Sequence, residues 1–329
     1  MPFEKFPMTP CKHLARPYRV AITIATYRRP ALLQALLATL SQEIEDLYKR
    51  PENQLAIKVL VAENNLPEKD GARVTAAMSK DYPCELVCLL EHRKGVSIVR
   101  NTLTAAALKW TADFILFIDD DEQPSRHWIE NMVDTADNYK AAIVSGPLIP
   151  TYEATPPRWV VNGGFFEDNT YATGTFPPIK RIGNTLIRAS WLSNPAICQQ
   201  NSWFNESLGR YGGEDSMLIE SLLSQGARHV WCKDAVVAEL VPESRQTFSY
   251  LAGRAYRFGN IGLLYRSKLK PDSISMLIRF GKTGYLLVRW VALSGRYLRG
   301  KERRNQHFFE FQTLLGRINA HRGIFRQHY

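Results

Sequence analysis

Four short, mostly apolar runs alternate with helix-length segments at the start of this chain: residues 20–25 (V-A-I-T-I-A), 57–62 (I-K-V-L-V-A), 85–90 (E-L-V-C-L-L) and 114–118 (F-I-L-F-I). Runs of this length, rich in β-branched residues and apolar on both alternating faces, read as strands buried on two sides. Pro30 opens the apolar segment A-L-L-Q-A-L-L-A-T-L, where its fixed φ suits a first helical turn. Segments near 72–80 and 96–110 read as further helices. Strand, helix, strand, helix in this order predicts an α/β fold with a mostly parallel sheet flanked by helices. Ligands of such sheets bind beyond the carboxyl ends of the strands. The informative residues are therefore those that follow each run: Thr26, Tyr27 and Arg28; Glu63, Asn64 and Asn65; and Asp119 to Glu122.

The last group is unusual. F-I-L-F-I runs directly into D-D-D-E, so four adjacent carboxylates follow a buried strand. A hard divalent cation, Mg²⁺ or Mn²⁺, takes oxygen ligands, and Mg²⁺ in particular is commonly held by one or two carboxylates together with substrate phosphates. Alternate residues of an extended segment point the same way, so Asp119 and Asp121 can share a site while Asp120 faces elsewhere. The competing reading is a solvated acidic turn that begins a helix, whose first turn favours acids.

Composition narrows the class. A hydrophobic content of 45% with 22% charged residues excludes wholesale disorder. The net charge of +10 is unevenly placed: residues 242–329 hold 17 Lys/Arg against 4 Asp/Glu, and the remainder 25 against 28. The C-terminal quarter thus needs an anionic partner or a solvated surface. The five cysteines are an odd, scattered set without a C-x-x-C pair, which predicts reduced thiols. The seven histidines show no paired zinc spacing. The first 19 residues contain four prolines and no apolar core of a secretory leader, so the expectation is a cytoplasmic protein. The apolar stretch 276–293 is interrupted by Arg279, Lys282 and Arg289 and makes a poor membrane span. Residues 147–178, rich in Pro, Gly and aromatics, read as a long excursion within the fold. Beyond 242, basic and aromatic residues intermix at helical spacing.

Four stretches, in order, resemble one known family. They are V-A-I-T-I-A-T-Y-R-R-P-A-L-L-Q-A-L, G-V-S-I-V-R-N-T-L, I-D-D-D-E-x-P-x-x-x-W-I and F-N-E-S-L-G-R-Y-G-G-E-D-S-M-L. Together they are similar to the opening strand and nucleotide loop, the A-R-N segment, the D-x-D region and the G-G-E-D motif of the inverting glycosyltransferase family 2, with its GT-A fold. The match covers residues 18–245, and among subgroups it looks most like bacterial exopolysaccharide glycosyltransferases of the succinoglycan type.

The resemblance implies a GT-A domain over 1–245, with a nucleotide-binding half at 18–125 and an acceptor half at 126–245. A basic helical C-terminal region follows at 246–329. It implies that Thr26, Tyr27 and Arg28 form the loop around the uracil and ribose of a UDP-sugar. Glu63 stands where the family usually has an Asp that reads the base, and Arg100 matches the Arg on the diphosphate side. Asp119 matches the ribose-facing acid, with Asp120 beside it, and Asp121 matches the metal ligand. Glu239 stands where many relatives carry a metal-binding His. Gly213 and Glu214 fall on the acceptor side, and Asp215 matches the catalytic base. A base placed opposite the leaving group gives one in-line displacement and inversion of the anomeric centre, and general-base catalysis typically contributes about 10²–10⁴-fold in rate.

The implied activity is metal-dependent transfer from a UDP-sugar to a growing bacterial polysaccharide or lipid-linked oligosaccharide. The segment 273–304 carries apolar and aromatic residues among bases, so peripheral contact with an anionic membrane, on the inner face of the cytoplasmic membrane, is a further expectation. Two other classes remain: a nucleic-acid or anionic-surface binding protein using the basic C-terminal region, and a catalytically inactive GT-A scaffold. No zinc finger, helix-turn-helix or RNA-binding signature accompanies the basic charge, so nucleic acid is not the expected partner. The intact acids at 119, 121 and 215 speak against the scaffold.

Overall fold

The computed structural model describes residues 17–169, 171–179, 181–198, 202–269, 272–297 and 301–326. Its strands are β1 (Tyr18–Thr26), β2 (Leu55–Glu63), β3 (Glu85–Leu90), β4 (Phe114–Asp119), β5 (Glu122–Pro124), β6 (Ile143–Ser145), β7 (Leu148–Tyr152), β8 (Thr185–Arg188), β9 (His229–Trp231) and β10 (Val237–Val241). The helices are α1 (Pro30–Tyr48), α2 (Asp70–Ser79), α3 (Val96–Lys109), α4 (Trp128–Asn138), α5 (Arg158–Gly163), α6 (Ala189–Leu192), α7 (Glu214–Ser224), α8 (Phe248–Leu269), α9 (Ser273–Tyr297) and α10 (Lys301–His321). Each of the four runs singled out in the sequence is a strand, and each helix expected between them is present. The excursion at 147–178 holds β7 and α5, two elements that its composition did not announce.

The chain forms two compact units. The first comprises Met1–Ile149, Asp168–Glu206 and Leu218–Glu239. Its seven-stranded sheet has the order β3-β2-β1-β4-β8-β6-β9. β1 pairs in parallel with β2 and β4, β2 with β3, and β6 with β9, whereas β8 runs antiparallel to β4 and β6. Side-chain alternation explains the two covered faces. Val20, Ile22, Ile24, Phe114, Leu116 and Ile118 point into one core with Leu33, Leu36, Leu37 and Leu40 of α1. Ala21, Ile115 and Phe117 point into the other, with Val99 and Leu103 of α3 and Leu218, Ile219 and Leu222 of α7. Parallel strands buried on both sides are apolar at nearly every position, Thr23 and Lys58 being exceptions here, which is why these runs are legible as strands. A small second sheet, β5-β10-β7, sets β10 antiparallel to β5.

The second unit comprises Pro150–Glu167, Ser207–Met217 and Leu240–Tyr329. Its apolar contacts form two small clusters. One joins Val160, Phe166, Val241, Leu251 and Phe309; the other joins Leu208, Leu264 and Tyr265. α8 and α10 pack closely enough that a side chain at Gly259 would strike the backbone of Thr313, and one at Gly316 that of Tyr256. Bare backbone at these two crossings lets the helices touch.

Candidate functional site

β1 and β4 lie side by side with Ala25 opposite Asp119, and β1 and β2 with Thr26 opposite Glu63. This register delivers the polar residues that follow the three strands to one end of the sheet. Arg28 turns the chain from β1 towards α1 in the left-handed region, with φ of 57°. Its guanidinium lies over the ring of Tyr27 at 5.2 Å, and Tyr27 is exposed.

Three of the four acids, Asp120, Asp121 and Glu122, are buried rather than solvated. Asp120 accepts a hydrogen bond from Thr26 Oγ1 at 2.9 Å and another from Arg29 Nη1 at 2.9 Å. The same Arg29 nitrogen lies 2.9 Å from Asp121 Oδ2, so one guanidinium clamps two neighbouring carboxylates. Arg100 Nη2 donates to Asp119 Oδ1 at 3.2 Å. Glu122 turns back and accepts from the Asp119 amide at 2.9 Å. Burial pushes the Asp120 carboxyl up to about 6, with Arg29 opposing the rise and Asp121 adding to it. Burial together with Asp119, Asp121 and Glu239 holds Glu122 well above the usual carboxylate range. These arrangements replace the solvated acidic turn as an account of D-D-D-E, because Asp120, Asp121 and Glu122 are each less than a tenth exposed.

Glu239 reaches this cluster through the small sheet: β10 pairs it directly with Glu122. Two like charges opposite one another on antiparallel strands repel. Gly183 closes the cluster from behind, since a side chain there would come within 2.6 Å of Glu122 Oε1 and 3.2 Å of Asp119 Oδ2. Among the described residues no set of three His, Cys, Asp or Glu side chains is already arranged around a metal position. The chemistry of the donors nevertheless fits a hard divalent cation. All are oxygens, and Asp119, Asp121 and Glu239 crowd a buried Glu122 whose charge they disfavour.

Glu63 has a different occupation. It is fully buried, and its two oxygens accept from the backbone amides of Asn65 and Gly71, each at 2.6 Å. It therefore ties the loop after β2 to the first turn of α2, and Gly71 leaves it room, since a Cβ there would lie 2.7 Å from Glu63 Oε2. Asn64 spans the same region, donating to the carbonyls of Glu91 and Arg93.

Gly213, Glu214 and Asp215 belong to the second unit. Gly212 and Gly213 both have positive φ, 91° and 88°. A side chain at Gly213 would meet Ile261 of α8 at 2.5 Å, so the glycine has a packing reason there. Glu214 is buried, and Asp215 is half-buried in the first turn of α7. Asp215 Oδ1 accepts from the Ser216 amide at 2.7 Å.

The structure thus gathers Thr26, Tyr27, Arg28, Glu63, Arg100, Asp119, Asp120, Asp121 and Glu239 within the first unit. Arg29 escaped the sequence reading, and Glu122 was singled out with the acid run but given no role of its own. Arg29 clamps Asp120 and Asp121, and its adjacency to Arg28 in T-Y-R-R-P gave no means of deciding which arginine turns inward. Glu122 ends the acid run but begins β5, so its direction depended on a sheet not visible in the sequence.

The sequence matches the family described as glycosyl transferase family 2 over residues 21–195. It is 30% identical over 241 residues to the succinoglycan biosynthesis protein ExoM of Rhizobium meliloti (strain 1021), covering 73% of this chain and 72% of that protein. Among solved structures, the mannosyltransferase PcManGT from Pyrobaculum calidifontis, in complex with GDP-Man and Mn²⁺, superposes with a TM-score of 0.61 at 16% identity, covering 96% of this chain and 90% of that one. S. aureus TarS in complex with UDP-GlcNAc gives a TM-score of 0.51 at 12% identity, covering 93% and 92%. At such identities the likeness is one of fold, the GT-A arrangement.

Proposed function

Because the chain belongs to glycosyltransferase family 2, we propose that it transfers a sugar, with inversion, from a UDP-sugar to a growing bacterial polysaccharide or lipid-linked oligosaccharide. The observation that carries this reading is the convergence of Thr26, Arg29, Arg100 and four consecutive acids at the carboxyl end of a parallel sheet. That is where an open α/β sheet receives a nucleotide. The relative named for succinoglycan biosynthesis supports a role in polysaccharide assembly, and the two structures solved with GDP-Man and UDP-GlcNAc support a nucleotide-sugar donor.

In this reading Thr26, Tyr27 and Arg28 surround the base and ribose, with the exposed Tyr27 ring available for stacking. Glu63 braces the loop beside the base, since both of its oxygens are already occupied by backbone amides. Asp119 and Asp120 face the ribose side, and Arg100 lies towards the diphosphate. Asp121 and Glu239 would hold Mg²⁺ or Mn²⁺, which when bound supplies a Lewis acid for the negative charge that grows on the departing UDP. Arg29, which balances Asp120 and Asp121, keeps the acids charged and ordered before the donor arrives. Asp215 takes the proton of the acceptor hydroxyl as it attacks; the G-G-E-D motif is the ground for that role. Residues 1–245 form the catalytic part in this assignment and 246–329 the basic helical part. The acceptor is met at the inner face of the cytoplasmic membrane.

Titration calorimetry tests the donor site: UDP should bind in Mg²⁺ or Mn²⁺ and lose most of its affinity in excess chelator. Equal affinity in chelator would reject metal-assisted binding. A panel of nucleotide sugars, scored by hydrolysis and transfer, would then identify the sugar.

A further inference from the structure

α9 is a helix with two faces of different kinds. Asp272 caps it, accepting from the Ser275 amide at 2.7 Å. One face is fastened to α10. Phe280 stacks on His321 with centroids 4.0 Å apart, and Trp290 on His307 at 4.4 Å. Thr283 is buried and bonds His321 Nε2 at 3.0 Å, while Trp290 Nε1 donates to the carbonyl of His307 at 3.1 Å. Residues 280, 283, 290 and 294 recur at helical spacing, which defines one side of a helix. Phe280, though 46% exposed, and Trp290 thus place one ring face on α10.

The opposite side carries Ile274, Leu277, Ile278, Tyr285, Val288 and Val291. All are exposed, with Ile274, Leu277, Tyr285 and Val288 at 73, 72, 67 and 68%. Scattered exposed apolar residues are ordinary, but a continuous stripe of this length on one helix is a site of association. Lys282 and Arg289, both exposed, flank the stripe, and the helix contains no Asp or Glu from Ser273 to Tyr297. Arg296 and Arg299, which extend the basic pattern in the sequence, lie outside what is described of side chains and of the chain respectively.

We propose that this outer face of α9 docks on an anionic lipid leaflet, the helix lying in the plane of the interface with its apolar stripe inserted and Lys282 and Arg289 at the headgroups. The stripe supplies insertion and the bases supply charge complementarity, the combination that holds an interfacial helix. Charge also argues against the other occupants. A second copy seated on the same face would bring Lys282 and Arg289 towards their own counterparts. Residues 1–16 carry Lys5, Lys12 and Arg16 against Glu4, so they too are basic. No helix among the described residues is long and apolar enough to cross a membrane, and α9 with its bases lies on a bilayer rather than through it. The inference goes beyond sugar transfer and does not depend on it.

Flotation of the full chain tests it, with vesicles of phosphatidylcholine alone and of phosphatidylcholine mixed equally with phosphatidylglycerol. The protein should float with the mixed vesicles and not with the neutral ones. Lys282→Glu with Arg289→Glu should lower partitioning by roughly tenfold or more, from the attraction each basic side chain has for an anionic leaflet. Leu277→Asp with Val288→Asp should abolish flotation while thermal melting and monomer mass stay those of the parent, since both side chains are exposed. No flotation with mixed vesicles, equal flotation with both kinds, or flotation indifferent to the Leu277 and Val288 changes would each overturn the proposal. So would light scattering that shows a dimer dissociated by those changes, which would give the face to a second copy.

Discussion

At the end of the parallel sheet, charge is buried and apolar side chains lie behind it; along α9, apolar side chains are exposed and charge lies beside them. Asp120, Asp121 and Glu122 are nearly inaccessible and held by Thr26, Arg29 and the Asp119 amide, whereas Leu277 and Val288 face solvent. Buried carboxylates cost folding energy unless they are paired, so a chain that keeps several in one place retains them for a purpose other than stability. Exposed apolar residues cost the fold little but leave association surface uncovered. In the readings proposed above, the first region receives a nucleotide sugar and the second a lipid surface.

The base role proposed for Asp215 offers the sharpest test of the proposed chemistry. Asp215→Asn should lower turnover by about 10²–10⁴-fold at saturating donor. Its affinity for UDP should stay near that of the parent, measured by calorimetry. If Asp215 serves only the first turn of α7, Asn will cap almost as well and turnover will survive.

Asp121→Ala should follow. Loss of a direct metal ligand should weaken metal-dependent UDP binding by more than the roughly 10–100-fold typical of supporting residues at metal sites. The circular dichroism spectrum should be unchanged. Metal-dependent binding at full strength in this variant would move the ligand role elsewhere in the acid cluster.

Arg29→Leu tests whether the guanidinium balances the acids. Removing one partner of a buried pair costs about 3–5 kcal/mol. Arg29 is 39% exposed, so solvent screening should reduce the loss to about 1–3 kcal/mol. Denaturant unfolding in chelator measures it. Added Mn²⁺ should raise the melting temperature more in this variant than in the parent, because the cation then meets Asp120 and Asp121 without competition from Arg29.

Asp120 gives the comparison a pH axis. Its carboxyl is raised from 3.8 to about 6 by burial, so ionisation disfavours the folded state. The folded protein binds this proton more tightly than the unfolded chain does, and the stability it lends is complete below about 4 and lost as pH rises through 6. In chelator, Asp120→Asn should therefore be more stable than the parent at neutral pH by about 1–2 kcal/mol, and the gap should close near pH 4. A gap that widens on acidification would reverse the sign and count against burial as the cause.

The smallest effect belongs to α9. Leu277→Ala and Val288→Ala should each change stability by less than about 0.5 kcal/mol, as exposed positions do. Leu36→Ala in the sheet core should cost about 2–5 kcal/mol. A large loss at Leu277 would mean that the outer face of α9 is part of the fold, and would weaken the comparison.

The sheet was legible because its chemistry is local. A parallel strand covered on both faces is apolar almost throughout, so 20–25, 57–62 and 114–118 announce themselves, and Pro30 marks where α1 starts. The polar residues after each run were legible as a site for the same reason, since a buried strand has no other place for them. What the acids do to one another was not. Arg29 and Arg28 are neighbours of one type, and only the turn at Arg28, with its positive φ, sends one over Tyr27 and the other between Asp120 and Asp121. Glu122 and Glu239 are far apart in sequence and meet because β5 and β10 pair, an antiparallel register that no periodicity encodes. Along α9 the sequence gives the period and the charge, but contact with α10 decides which aromatics stack on its histidines. Periodicity fixes the faces of an element, and packing alone decides what each face meets.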